Sequence, residues 1–266
     1  VTGDMEIFWI PDFNPDDAAP PPPHSSTDLE LGLLERVGGN LLVRDIWGLA
    51  QFSFMSSLTD VGGDFTLYGL DNLSGIALSG LERVGGRFQV ADALVLQSIE
   101  LPALTELGGL ELRSDAPGEL SSLRKVTLSV LDQVEGDLTL YGTSGLYTIE
   151  AKSLQTISGA LSVTGGCSFV PSLEALQQVG SLELVGNCGL EQLDGLPIST
   201  ISGQSAEGVS LRIRDNDGLS QEAIDAFVGS LELTGDGEVD VQPADDGACA
   251  IAQQELWKTD ELWCKE

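Results

Sequence analysis

The chain offers few of the side chains that catalysis needs. Its single histidine, His24, lies in a proline-rich stretch without a nearby partner for general-base or metal chemistry, so we expect it to be solvent-exposed. Neither the Gly-x-Ser-x-Gly motif of a hydrolase nor the His-Glu-x-x-His motif of a zinc protease is present. Paired carboxylates can cleave glycosidic bonds, but among 42 acidic residues some pair will always lie close together. The sequence therefore predicts no catalytic residues, although a polysaccharide-active enzyme stays a remote alternative.

Four cysteines are spaced for disulfide chemistry, and two of them occupy equivalent positions. Cys167 lies four residues after Val163, and Cys188 lies four residues after Leu184. If Val163 and Leu184 belong to equivalent strands about 4.8 Å apart, a disulfide can join the two cysteines. We therefore predict the bridge Cys167–Cys188.

The other two cysteines lie near the C-terminus. Cys249 and Cys264 are expected to pair, which requires a bend near residues 258–260 because a straight helix would hold them about 22 Å apart. No cysteine has a neighbour at the spacing of a zinc knuckle, so zinc is the weaker interpretation. Two bridges indicate an oxidising compartment and hence export.

Acidic residues cluster in two turns that raise the question of calcium. Asp215-Asn-Asp-Gly218 and Asp236-Gly-Glu-Val-Asp240 both lack the spacing and terminal glutamate of an EF-hand loop. Ordinary turn chemistry explains them better. We predict no metal site and no cofactor.

The overall charge limits the partners of the chain. A net charge of −30 repels nucleic acid and anionic membrane surfaces. The acidic surface indicates either solubility in an extracellular or saline medium or an acidic ligand-binding role. No apolar run is long enough to span a bilayer, and no basic signal peptide is present. The chain opens within a repeat at Val1–Ile7, which is consistent with a trimmed protein that has lost a leader or anchor.

A short repeat organises almost the whole chain. The unit Leu-x-x-Val-x-Gly-x-Leu-x-Val begins at Leu34, Leu58, Leu81, Leu104, Leu131, Leu154 and Leu176, which are 22 to 27 residues apart. This spacing suits one turn of a solenoid and is too short for an independent domain. Stacked coils that share a core are therefore expected.

Alternating apolar residues in each unit predict a strand with two side chains pointing inward. Ten such pairs are found, which predicts about ten coils: Met5/Ile7, Leu41/Val43, Phe65/Leu67, Phe88/Val90, Leu110/Leu112, Leu138/Leu140, Leu161/Val163, Leu182/Leu184, Leu211/Ile213 and Leu231/Leu233. A second apolar cluster follows each strand and indicates a second sheet or turn. Gly38-Gly39, Gly62-Gly63 and Gly85-Gly86 suit a tight corner that needs positive φ or close backbone approach, and their recurrence argues against a phosphate-binding loop.

The motif Leu34-Glu-Arg-Val-Gly-Gly-Asn-Leu-Leu-Val43 and its repeats resemble the receptor L domain. This family is the right-handed β-helical relative of leucine-rich repeats and occurs in insulin-receptor and epidermal-growth-factor-receptor ectodomains. A similar pattern recurs in fungal GPI-anchored cell-wall proteins and bacterial surface proteins. The resemblance implies a right-handed parallel β-helix over nearly the whole chain and binding through a sheet face. The receptors' cysteine-rich modules and membrane span are absent, so it does not imply a growth-factor receptor.

Two interruptions define the expected domain layout. The solenoid is predicted over residues 1–241, with a proline-rich insertion at 10–30. A short helix at 220–229, capped by Ser220, replaces the second half of a coil. Residues 242–266 are predicted to form a disulfide-linked C-terminal cap over the open end of the core.

One sheet face combines arginine and tyrosine, which is unusual for so acidic a chain. Outward residues form two columns, one through Glu6, Leu42, Thr66, Gln89, Glu111, Thr139, Ser162, Glu183, Arg212 and Glu232, and one through Phe8, Arg44, Tyr68, Ala91, Arg113, Tyr141, Thr164, Val185, Arg214 and Thr234. The candidate binding residues on this face are Arg44, Tyr68, Arg87, Arg113, Tyr141, Arg212 and Arg214. Such a composition is typical of a protein or glycan contact. Alternatively, tyrosine simply favours strands and arginine relieves repulsion between stacked carboxylates.

These observations predict a non-enzymatic, exported, extracellular or cell-surface domain that binds a protein or glycan through the sheet face. The alternative is a self-assembling structural protein whose copies join through the solenoid ends. Neither hypothesis involves nucleic acid or membrane insertion.

Overall fold

The structure is a computed structural model of the chain, and it describes residues 1–8, 31–46, 48–52, 54–114, 120, 122–166 and 170–242. Within these residues it contains 21 strands and one helix in chain order. The strands are β1 (Met5–Phe8), β2 (Arg36–Val37), β3 (Leu41–Arg44), β4 (Gln51–Phe52), β5 (Asp60–Val61), β6 (Phe65–Tyr68), β7 (Gly75–Ala77), β8 (Arg83–Ala91), β9 (Ser98–Glu100), β10 (Glu106–Arg113), β11 (Lys125–Thr127), β12 (Gln133–Val134), β13 (Leu138–Tyr141), β14 (Thr148–Glu150), β15 (Thr156–Thr164), β16 (Val170–Ser172), β17 (Gln178–Val185), β18 (Thr200–Ile201), β19 (Val209–Arg214), β20 (Glu232–Leu233) and β21 (Glu238–Val241), and the helix is α1 (Gln221–Gly229).

The strands form two parallel sheets that wind into a β-solenoid. The larger sheet holds 15 of the described strands, and its main ladder runs β1-β3-β6-β8-β10-β13-β15-β17-β19-β21. The smaller sheet holds six, in the order β16-β14-β11-β9-β7-β4. The second apolar cluster of each unit thus forms a second sheet. Mostly parallel β structure and the solenoid are confirmed.

The number of complete turns is smaller than the number of ladder strands. From β3 to β19 the chain winds through about seven turns, six of which contribute a strand to the smaller sheet. The predicted count of about ten coils is not confirmed, because it equates every ladder strand with a full coil.

The core lies between the two sheets and consists of stacked aliphatic side chains. The inward residues of the main ladder from Leu41 to Ile213 are all buried. Three phenylalanines link the sheets: the ring centroid of Phe65 lies 6.1 Å from that of Phe52 on the smaller sheet and 5.2 Å from that of Phe88 in the next coil. Each fully buried side chain of this size contributes roughly 1.5–3 kcal/mol to folding.

The glycine pairs before the strands are required by close approach between coils. A Cβ built at Gly62 would overlap the carbonyl oxygen of Gly38, and one built at Gly85 would overlap that of Gly62. None of these glycines has a positive φ. Left-handed backbone instead occurs just after the main strand, at Gly69, Gly142, Gly165, Gly186, Asp45, Asp92 and Asp215. Of the two explanations for the glycine pairs, close approach is correct.

The short helix is confirmed at the expected place. The Ser220 side chain caps α1 by accepting a hydrogen bond of 3.1 Å from the backbone N–H of Ala223. Ile224 and Phe227 are buried against the core.

The predicted tenth strand pair, Leu231/Leu233, is wrong. Glu232 and Leu233 pair with Thr200 and Ile201, which lie before the glycine corner. The tenth position of the main ladder is taken by β21, where Val239 pairs with Leu211. The chain returns to the sheet directly after α1 and first forms β20, which pairs with β18 ahead of the glycine corner. Gly235 and Gly237 then form the corner between β20 and β21. The column members Glu232 and Thr234 are consequently wrong as well.

Three predicted features lie outside the described residues. They are the proline-rich insertion with His24, Cys167, and the C-terminal cap with Cys249 and Cys264. They stay predictions.

Candidate binding surface

The two outward columns of the main ladder are in register as expected through nine strands. Glu6, Leu42, Thr66, Gln89, Glu111, Thr139, Ser162, Glu183 and Arg212 are successive ladder partners, and so are Phe8, Arg44, Tyr68, Ala91, Arg113, Tyr141, Thr164, Val185 and Arg214. Parallel pairing without a register shift at these positions keeps each column on one face. In the tenth position Asp240 replaces the predicted Glu232.

The first six residues of the second column form a strip of rings and guanidinium groups. We call Phe8, Arg44, Tyr68, Ala91, Arg113 and Tyr141 the aromatic–arginine strip. The guanidinium carbon of Arg44 lies 5.0 Å from the ring centroid of Phe8, and that of Arg113 lies 5.9 Å from the ring centroid of Tyr141. These are cation–π distances. Phe8 and Tyr68 are 43% and 42% exposed, so apolar ring surface faces solvent here.

Arginines of the face also pair with carboxylates of neighbouring strands. Arg44 Nε donates to Glu6 Oε1 at 2.7 Å, and its Nη1 donates to Asp45 at 2.8 Å. These hydrogen bonds raise the pKa of Arg44 above its usual value. Arg87 Nη1 donates to Glu111 Oε2 at 2.7 Å. Arginines on this face therefore reduce the repulsion between carboxylates of neighbouring strands, whether or not they also bind a ligand.

The C-terminal end of the face is a closed ion-pair network. Arg212 lies 2.8 Å from Glu183, 3.2 Å from Glu207 and 3.8 Å from Asp240, and Arg214 lies 3.2 Å from Asp240. The side chain of Arg212 is only 21% exposed, so its positive charge is balanced by carboxylates of the same molecule. Arg212 is thus more enclosed than Arg44, whose side chain is 40% exposed, although the sequence places both on one face.

Acidic side chains gather where the first strands of the face end. Burial raises the pKa of the Asp71 carboxyl, and the nearby carboxylates of Asp92 and Asp45 raise it further.

Within the described residues, no three His, Cys, Asp or Glu side chains are arranged to hold a metal ion, and this includes the turns around Asp215 and Asp236.

Two concave regions lie away from the strip. A groove of about 690 Å³ separates α1 from the preceding turn, with Leu196, Ile198 and Phe227 on its floor and Glu191 and Asp194 at its rim.

A second groove of about 430 Å³ opens over the glycine corners, and it was not predicted from the sequence. It is lined by Asp64, Gly85, Gly86, Arg87, Gly108, Gly109, Glu135, Gly136 and Asp137, which we call the glycine groove. Arg87, predicted as part of the sheet face, lines this groove.

Cys188 is disulfide-bonded. Its expected partner, Cys167, is outside the described residues.

The single described helix has nine residues and is too short to cross a membrane. No protein-family model, no curated protein and no solved structure matches the chain.

Proposed function

We propose that this chain is a non-catalytic recognition domain, secreted or displayed at a cell surface, that binds a protein or glycan ligand through the aromatic–arginine strip. The observation that carries the proposal is that rings and guanidinium groups lie side by side along the strip, with cation–π contacts at both of its ends and exposed ring surface at Phe8 and Tyr68. Aromatic and arginine side chains dominate binding energy at interfaces, and here the ladder holds them rigidly.

We further propose an L-domain-like, right-handed solenoid. Two parallel sheets, short coils and a Leu-x-x-Val-Gly-Gly signature support the resemblance. Parallel strand crossovers are right-handed in about 98% of cases. The disulfide at Cys188 supports export, because such bonds persist in oxidising compartments.

Binding of the labelled protein to protein and glycan arrays tests the proposal. Tyr68→Ala and Arg113→Ala should each weaken the signals of the wild-type protein at least tenfold, whereas Thr164→Ala, farther along the same column, should leave them unchanged. Equal loss in Thr164→Ala would indicate general damage to the sheet. Signals that survive both strip substitutions would contradict the proposal.

A second candidate function, end-to-end assembly, is favoured by the outermost strands of the main ladder. Among the described residues, β1 and β21 each have a neighbour on one side only. Parallel addition of β1 of one copy to β21 of another would continue the ladder, but it would bring Glu6 opposite Asp240. Light scattering over a concentration series separates the candidates: growth that increases with salt supports assembly, and a constant monomer mass rejects it.

A further inference from the structure

A ladder of side-chain caps links successive glycine corners. The Oδ1 atom of Asp4 accepts from the backbone N–H of Asn40 at 2.7 Å, and Asn40 Oδ1 accepts from the N–H of Asp64 at 2.8 Å. Asp64 Oδ1 accepts in turn from the N–H of Arg87 at 2.8 Å. Each Asp or Asn side chain thus satisfies a backbone donor of the next coil.

The ladder is interrupted in the middle of the solenoid. Arg87 occupies the next position, and its guanidinium has no acceptor atom. Gly109, its ladder partner, has no side chain at all. The ladder resumes at Asp137, whose Oδ1 accepts from the N–H of Ala160 at 2.8 Å. The backbone N–H of Asp137 itself has no protein acceptor among the described residues.

The glycine groove lies where the ladder is interrupted. Five glycines line it, and the missing side chain at Gly109 leaves a cavity of about 430 Å³ beside the uncapped N–H of Asp137. The missing cap and the cavity have one cause, which is the absence of a side chain at residue 109. A ligand oxygen at this place would take over the hydrogen bond that Asp4, Asn40, Asp64 and Asp137 each make to the following coil.

The walls of the groove define which ligand oxygen fits. Asp64, Glu135 and Asp137 contribute exposed carboxylates, and Arg87 is already paired with Glu111. A free anion would accept from the Asp137 N–H but would be repelled by three carboxylates and by a chain of net charge −30. A cation would suit the carboxylates but has no lone pair for the N–H. A hydroxyl group both accepts and donates, so it satisfies both kinds of partner.

We propose that the glycine groove binds a neutral saccharide. Its hydroxyl or acetamido oxygen accepts from the Asp137 N–H, and its hydroxyl groups donate to the carboxylates of Asp64, Glu135 and Asp137. No apolar side chain lines the groove, so the affinity is low, with a dissociation constant on the order of 1 mM for a short oligosaccharide. This site is separate from the aromatic–arginine strip and does not depend on the function proposed for the strip.

The first test is hydrogen exchange of the backbone amides. The Asp137 amide should exchange much faster than the capped amides of Asp64, Arg87 and Ala160. Comparable protection of all four would show that Asp137 is capped and would overturn the argument.

The second test titrates the ¹⁵N-labelled protein with chitotriose, laminaritriose, mannotriose and maltotriose. At least one sugar should shift the amide resonances of Gly109 and Asp137 in a saturable way. No shift with any of them up to about 20 mM, well above a dissociation constant on the order of 1 mM, would overturn the proposal. Shifts produced by acetate or lysine at the same concentrations, but not by sugars, would also overturn it.

A variant that closes the groove provides the matched control. A Cβ at Gly109 would lie 3.2 Å from Asp137 O and 3.7 Å from Arg87 Cγ, and this glycine does not have a positive φ, so a small adjustment accommodates a side chain. In Gly109→Asn the new amide fills the groove and caps the Asp137 N–H as Asn40 caps Asp64. Sugar binding should weaken at least tenfold while the thermal midpoint rises by about 2–4 °C.

Two further variants separate this proposal from the first one. Tyr68→Ala should leave sugar shifts in the groove unchanged, and Glu135→Gln should weaken them severalfold without changing the thermal midpoint. Loss of the sugar shifts in Tyr68→Ala, together with no effect of Gly109→Asn, would assign the saccharide to the strip and not to the groove.

Discussion

Replacement of Asn187 by alanine should be among the most destabilising polar substitutions in the chain. Asn187 is fully buried, and its side chain serves three groups. Its Nδ2 donates to Val163 O at 2.9 Å and to Asn216 Oδ1 at 3.1 Å, and its Oδ1 accepts from the N–H of Gly166 at 2.9 Å. Alanine would leave the Val163 carbonyl and the Gly166 N–H buried without these partners.

The magnitude follows from those two backbone groups. Each buried polar group that loses its hydrogen bond costs about 1–3 kcal/mol, so Asn187→Ala should lower the free energy of unfolding by about 3–5 kcal/mol. For a domain of this size each 1 kcal/mol corresponds to about 2–4 °C in thermal midpoint, so we expect a decrease on the order of 10 °C. A loss of this size is a large fraction of the stability of a typical domain.

Urea unfolding monitored by circular dichroism measures the effect, and a double-mutant cycle with Asn216→Ala gives its origin. Asn216 Nδ2 donates to Leu184 O at 2.9 Å, and its Oδ1 also accepts from the N–H of Asn187. The two substitutions share a hydrogen bond, so their costs should be non-additive by about 0.5–3 kcal/mol. A cost below about 1 kcal/mol for Asn187→Ala, or additive costs in the cycle, would refute the reasoning.

Three further substitutions test other contacts by thermal or urea unfolding. Gly62→Ala places a Cβ against the Gly38 carbonyl and should cost about 1–3 kcal/mol, whereas Gly80→Ala, with its nearest atoms at 3.6 Å, should change stability by less than about 1 kcal/mol; equal effects would contradict the close-approach argument. Asp71→Asn should stabilise the protein slightly near pH 7. Because the pKa of Asp71 is raised in the folded state, the contribution of this carboxyl to wild-type stability falls as pH rises from 3.8 through its folded pKa. The advantage of asparagine should therefore vanish below pH 3.8, and an advantage that persists at lower pH would point to another cause. Arg212→Ala leaves Glu183, Glu207 and Asp240 without their shared cation and should cost about 2 kcal/mol, against less than about 1 kcal/mol for the more exposed Arg83→Ala.

The repeat determines most of the fold because side-chain direction alternates along a strand. Nine of the ten inward pairs, and both outward columns through Arg212 and Arg214, follow from the alternation of apolar residues and the recurring glycines. The tenth pair fails because Leu231/Leu233 and Val239/Val241 both alternate correctly. A glycine precedes both pairs at the usual spacing, Gly229 before Leu231 and Gly237 before Val239, so the local pattern does not separate them. The choice depends on where α1 returns the chain to the sheet.

The candidate sites were only partly predictable. Column membership places Arg44 and Arg212 on the same face, but the carboxylates that surround Arg212 come from β17, β21 and the turn at Glu207, and their convergence depends on geometry. The glycine groove could have been found from the residue before each inward pair, which reads Asp4, Asn40, Asp64, Arg87, Gly109 and Asp137. The change from acceptor side chains to arginine and glycine in that series marks the interruption of the ladder.

The cap ladder also constrains how such a chain can evolve. The Oδ1 atoms of Asn40 and Asp64 lie where a Cβ at Gly63 and Gly86 would have to be, so an acceptor side chain in one coil excludes a side chain in the next. A coil that carries such an acceptor can therefore be followed only by a coil that has glycine at this corner. An inserted or duplicated coil should therefore be accepted only where each acceptor still meets a glycine in the coil that follows it.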